Sequence, residues 1–119
     1  MSGEERTVRA HDLYWLIAGF SVWASGFAAL YGLHAIGCRA GWEETALAGL
    51  SANRWVLVGV YLAHIGAGAA LYLPLRAIAD RWQGESARTM RRAAVALTLA
   101  AVVSTIWTGA PVLVLDGCV

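Results

Sequence analysis

"WLIAGFSVWASGFAALYGLHAIG", Trp15 to Gly37, runs without a formally charged side chain and exceeds the ~20 apolar residues that a helix needs to cross a bilayer core. Its reading decides the fold, because a first membrane span makes the later apolar runs spans as well. Trp55 to Leu75 is a second uncharged run, holding His64 and, near its end, Pro74. Ala93 to Leu115 is the third, with Gly109 and Pro111 expected to kink or fray its last turns. The chain is therefore read as an all-α integral membrane protein, a bundle of three transmembrane helices in a single membrane domain. The spans are placed at about 14–37, 55–75 and 93–115, joined by an external loop 38–54 and a cytoplasmic loop 76–92.

Composition agrees. The 119 residues are 59% hydrophobic, against roughly 45–50% in soluble proteins. All nine basic residues are arginine and Ala and Gly are abundant, a coding bias that points to a bacterial source. With a net charge of +1 and no basic stripe on a soluble fold, a nucleic-acid partner is not expected. A cleavable signal peptide is the competing reading of the first run. The leading "MSGEERTVRAHD" carries three acids, the apolar run is too long, and no small-x-small site precedes a polar chain, so a retained span is preferred.

Arginine positions set the orientation. Arg6, Arg9, Arg76, Arg81, Arg88, Arg91 and Arg92 flank the spans on one side, whereas Arg39 and Arg54 lie on the other. The positive-inside rule then puts the N-terminus and second loop in the cytoplasm, and the first loop and C-terminus outside a bacterial inner membrane. Tyr14, Trp15, Trp55 and Tyr72 fall near the interfaces this implies, while Trp42 and Trp82 fall in loops. The first loop, with Glu43 and Glu44 early, is expected to form a short amphipathic helical turn on the outer surface.

Cys38 and Cys118 share the outer, oxidising side in this topology, and pairing them closes a loop of about 80 residues, with a model stabilisation of about 4–5 kcal/mol. The sharper alternative is a metal site. His34 and Cys38, at i and i+4, project from one helix face, and Cys118 and Asp116 offer further ligands for copper(I) or zinc. No C-x-x-C motif supports it, and a disulfide would consume both sulfurs.

Each span carries small or hydroxylated residues at alternating spacings of three and four, the pattern that lets helices pack closely in lipid. In span one the line is Ala18, Ser21, Ser25, Ala28, Gly32 and Ala35; in span two, Gly59, Ala63, Gly66 and Ala70; in span three, Ala94, Thr98, Ala101, Thr105 and Thr108. These lines are expected to face one another, with Ser and Thr bonding between helices. At ~100° per residue, Phe20, Trp23, Phe27, Tyr31 and His34 share the opposite side of span one. His64 groups with Leu57, Tyr61, Gly68 and Leu71, away from its own seam and near mid-membrane, where an ionisable side chain is costly and suggests function. A neutral His64 hydrogen-bonded to Thr98, Thr105 or a backbone carbonyl is the plain reading. Haem b held by His34 and His64 is the sharper one, although their depths differ by about 7 Å at ~1.5 Å per residue.

No acid lies within a span, which removes the usual carrier of a proton-coupled exporter. No G-x-S-x-G, H-E-x-x-H, P-loop or C-x-x-C motif nominates catalysis. In size and three-helix plan the chain resembles small membrane-anchor or accessory subunits of respiratory complexes, a resemblance of shape without a shared motif. The expected function is an accessory or assembly subunit without catalysis of its own, docking onto a larger respiratory or electron-transfer complex. His34, His64, Tyr31, Tyr61, Trp23 and Phe27 are the candidate contacts. The alternatives are a small b-type haem or metal protein using His34 and His64, or His34, Cys38 and Cys118, and a homo-oligomeric channel or carrier.

Overall fold

The computed structural model describes residues 10–81, 83–114 and 118. Three helices dominate: α1, Ala10–Arg39; α2, Ala52–Ala79; and α3, Glu85–Val114. Each contains a segment long and apolar enough to cross a membrane, and each packs against both others.

The helices outrun the apolar segments that announced them. α2 continues past Pro74 to Ala79, and α3 begins at Glu85, so it carries Arg88, Arg91 and Arg92 in its first turns. The loop expected over 76–92 shrinks to a short turn. Hydropathy locates only the uncharged part of a helix, whereas Ala, Arg and Met extend it at little cost. α3 also runs through Pro111 to Val114 without breaking, contrary to the fraying expected there.

Local chemistry ends each element. At the end of α1, Gly41 adopts φ 72°, the N–H of Trp42 donates to Gly37 O at 3.0 Å, and that of Gly41 donates to Cys38 O at 3.4 Å. This is the paired hydrogen bonding of a Schellman cap, which satisfies the last carbonyls of a helix. Ser51 caps α2, its Oγ accepting from Arg54 N at 3.3 Å. Gly84, at φ 104°, precedes α3.

The first connection departs from expectation. Residues placed in an amphipathic helical turn instead form a two-stranded antiparallel hairpin, β1 (Ala46–Leu47) and β2 (Leu50–Ser51). Ala48 and Gly49 between them both have positive φ, 50° and 84°, as a type I′ turn requires. The Trp55 indole N–H donates to Leu47 O at 2.8 Å and fastens the hairpin to α2.

The packing lines also differ from those read in the sequence, except on α3. There Ala94, Thr98, Thr105 and Gly109 are buried. On α1 the inward line is Gly19, Trp23, Gly26, Leu30 and Gly37, and on α2 it is Asn53, Leu57, His64, Gly68 and Leu75. Ser21, Ser25, Gly32, Gly59 and Gly66 are exposed, and nothing lies within 4 Å of where a Cβ on Gly32, Gly59 or Gly66 would stand. Small residues are common on every side of these helices, so spacing alone does not choose the inward side. The glycines that do pack are each matched to a large or polar neighbour. A Cβ on Gly19 would sit 3.2 Å from Thr98 Cα, and one on Gly26 2.9 Å from the His64 ring.

The hydroxyls expected to bridge helices mostly bond within their own. Ser21 Oγ donates to Ile17 O, Thr105 Oγ1 to Ala101 O and Thr108 Oγ1 to Ser104 O. Tyrosines bridge instead: Tyr61 donates to Ile106 O at 3.1 Å and Tyr31 to Thr108 O at 3.4 Å. These carbonyls flank Trp107 O, which would accept from residue 111 had it not been proline.

Candidate functional site

Two polar clusters interrupt the apolar bundle, each built on a histidine of the inward faces. The first lies where α1 ends and α2 begins. Cys38, in the last turn of α1, is bonded to Cys118, with Cα atoms 5.2 Å apart and a sequence separation of 80. One turn earlier His34 directs Nε2 at Cys38 Sγ, 3.8 Å away. Its other nitrogen, Nδ1, lies 3.5 Å from Asn53 Nδ2.

An amide nitrogen only donates, so Nδ1 accepts, and neutral His34 carries its proton on Nε2, facing the sulfur. Asn53 is 1% exposed and also donates to Glu43 Oε2 at 3.3 Å. Among the described residues its Oδ1 is buried without a hydrogen-bond partner, against Gly37, where any Cβ would collide with it. A buried unpaired carbonyl costs about 1–3 kcal/mol.

The second cluster lies deeper, between α1 and α2. His64 Nδ1 is 2.8 Å from Val60 O; the carbonyl accepts, so Nδ1 carries the proton. Nε2 is 3.3 Å from Ser25 Oγ, which also lies 3.0 Å from Val22 O. The single Ser25 hydroxyl proton serves one of these acceptors at a time, Val22 O at 3.0 Å or a neutral His64 Nε2 at 3.3 Å. Of the partners foreseen for His64, a backbone carbonyl is found, and Thr98 and Thr105 are not.

His34 and His64 do not converge. His64 meets α1 beside Ser25 and Gly26, whereas His34 is about two and a half turns farther along the same helix at ~3.6 residues per turn. One iron cannot take an axial ligand from both in this arrangement. His34, Cys38 and Cys118 do come together, but with both sulfurs spent on each other. Asp116, the fourth ligand considered, lies outside the described residues, and among the described residues no group of three His, Cys, Asp or Glu is placed so that it could hold a metal ion.

The aromatic residues of α1 form a ladder, Phe20, Trp23, Phe27 and Tyr31, with successive ring centroids 5.4, 6.1 and 4.6 Å apart. Trp23 is half-buried, whereas Phe20, Phe27 and Tyr31 are exposed. Tyr61 turns inward onto Gly109, so the aromatic side chains do not make one common surface. At the opposite end of the bundle, Arg91 pairs with Asp80 at 2.6 Å, and Tyr72, Arg76, Arg92 and Val95 share with Arg91 a groove of about 460 Å³ between α2 and α3.

Sequence reading singled out His34, Cys38 and Cys118 but missed Asn53 and Glu43, which complete the cluster. Nothing local in "SANRW" marks Asn53 as inward. Only the tight turn after α1 and the hairpin bring it under Gly37. No family model matches the chain, and no curated protein and no solved structure matches it either.

Proposed function

We propose that this chain is an accessory or assembly subunit of a bacterial inner membrane, docking along the outward small-residue seams of α1 and α2 onto a larger complex. A respiratory or electron-transfer assembly is the kind that chains of this size and plan resemble. The N-terminus lies in the cytoplasm and the disulfide end outside.

Membrane placement is supported by what the helices leave uncovered. In the most apolar window of each helix only 11–17% of the residues are buried within the chain, and Ile17, Phe20, Leu62, Leu73, Val103 and Trp107 stand more than half exposed. An apolar surface on every side is tolerable in lipid and not in water. The arginine bias gives the orientation.

The observation that carries docking is the open seam of α2. Gly59, Ala63, Gly66 and Ala70 recur at the spacing that lets a second helix approach closely, yet they face away from α1 and α3 and are exposed. The contact surface is thus assigned to these seams, with His34 and His64 turned inward.

A photo-crosslinking residue at Ala63 or Gly66, in the native membrane, tests this. Crosslinks to one heterologous membrane protein from both positions, absent from Leu57 and Leu75 inside the bundle, are expected. Self-crosslinks alone would make the chain a homo-oligomer, and no crosslinks at all would remove the docking reading.

A further inference from the structure

The disulfide is usually read as a clasp, and a clasp needs no histidine. Here the Nε2–H of His34 points at Cys38 Sγ from 3.8 Å. It is held in that tautomer by the amide of a 1% exposed Asn53, whose own carbonyl is without a partner among the described residues. The two cysteines also differ in access: Cys118 is exposed and Cys38 half-buried. A bond between an exposed cysteine and a half-buried one whose sulfur is served by a donor is polarised for attack from a single side.

We infer that Cys38–Cys118 is an exchangeable, redox-active disulfide, in which His34 stabilises Cys38 as the leaving thiolate and the co-reactant is a dithiol protein of the same compartment. A thiolate of that partner attacks the exposed Cys118 Sγ. The sulfur–sulfur electron pair leaves on Cys38 Sγ, which keeps the hydrogen bond from His34 Nε2–H and then takes a proton from water. The second thiol of the partner loses its proton and attacks the mixed disulfide, forming the partner's own disulfide and releasing Cys118 as a thiolate, which is protonated in turn. Two electrons and two protons pass to this chain, and the partner dithiol is oxidised.

His34 is needed because its neighbours work against a thiolate at Cys38. The sulfur stands at the C-terminal end of α1, where the helix dipole disfavours negative charge, and Glu43 is an acid of the same cluster. Arg39 is the adjacent cation, in the last turn of α1. A directed N–H donor to a charged sulfur is the compensating element, and a lower thiol pKa makes the better leaving group. Asn53 is a positioning residue, since it touches His34 and not the sulfur. The inference stands apart from the docking proposal, because it concerns a bond within the chain and holds whether or not a partner helix occupies the α2 seam.

The test uses the full chain in detergent micelles with dithiothreitol as the dithiol, following the disulfide by alkylation and mass. The wild-type bond should reduce under native conditions, and in the reduced protein Cys38 should alkylate with a pH midpoint below the ~8.5 of a free cysteine. His34→Phe should slow reduction about tenfold or more, the worth of a hydrogen bond to a charged group, and move the Cys38 midpoint upward. His34→Gln, which keeps an N–H donor, should recover part of the rate. Asn53→Ala should shift the midpoint in the same direction by less. A native bond that dithiothreitol reduces only after unfolding, or a wild-type Cys38 midpoint at or above 8.5, would overturn the inference without recourse to any variant. So would equal reduction rates in the wild type and a folded His34→Phe protein.

Discussion

At the scale of single residues, the bundle is organised by what glycines make room for. Gly26 lets the His64 ring lie against the α1 backbone, and a Cβ there would stand 2.9 Å from the ring, closer than side chains tolerate. Gly26→Ala should therefore cost about 1–3 kcal/mol, the usual penalty for overpacking, and Gly26→Leu more. Pairing either with His64→Ala should return part of the loss. Reversible unfolding in mixed micelles reads both, and additive losses would mean the two residues are not in contact. Ala48 is the opposite case, a non-glycine residue held at φ 50° where the left-handed region costs roughly 1 kcal/mol or more. Ala48→Asn gives the Asn-Gly pair favoured in this turn, and should stabilise the chain by several tenths of a kcal/mol in the same assay.

Between elements, the joint of α3 with α1 and α2 is bridged by tyrosines where the sequence suggested Ser and Thr. Pro111 offers no N–H to Trp107 O, and Tyr61 and Tyr31 donate to the carbonyls on either side. Side-chain donors beside a missing helical hydrogen bond help to hold such a helix in an apolar medium. Tyr61→Phe should therefore cost about 0.6–1 kcal/mol. In a Pro111→Ala background, where the helix regains its own N–H, the same substitution should cost measurably less. A double-mutant cycle measures this coupling, and strict additivity would detach the tyrosine from the proline. The Arg91–Asp80 pair at the other end is largely exposed, so Asp80→Asn should change stability by less than about 1 kcal/mol.

On the scale of the whole molecule, the disulfide ties the far end of α1 to the tail beyond α3. Cys38→Ser with Cys118→Ser should lower stability by about 2–5 kcal/mol, read as an earlier unfolding midpoint with helix content kept. Orientation is checked on that cysteine-free background: a single cysteine at Ala48 should react with an impermeant maleimide in intact cells, and one at Gln83 only after lysis. The reverse pattern would invert the topology.

Three helices with uncharged centres, arginines crowded toward one end and cysteines at the other were legible in the sequence alone, because charge and hydropathy act residue by residue and need no neighbours. The true helix ends were not, since arginine-rich turns extend a helix without adding hydropathy. The inward faces of α1 and α2 were not legible either. Small residues line both the packed and the open sides, so periodicity offers two equivalent choices, and only the fit of Gly26 to His64, Gly109 to Tyr61 and Gly37 to Asn53 separates them. His34 and Cys38 were visible as a pair one turn apart, a consequence of helical geometry. That the histidine of the pair is oriented by Asn53 toward the disulfide was decided by tertiary structure, because residues distant in sequence acquire one chemistry only when the chain brings them within hydrogen-bond reach.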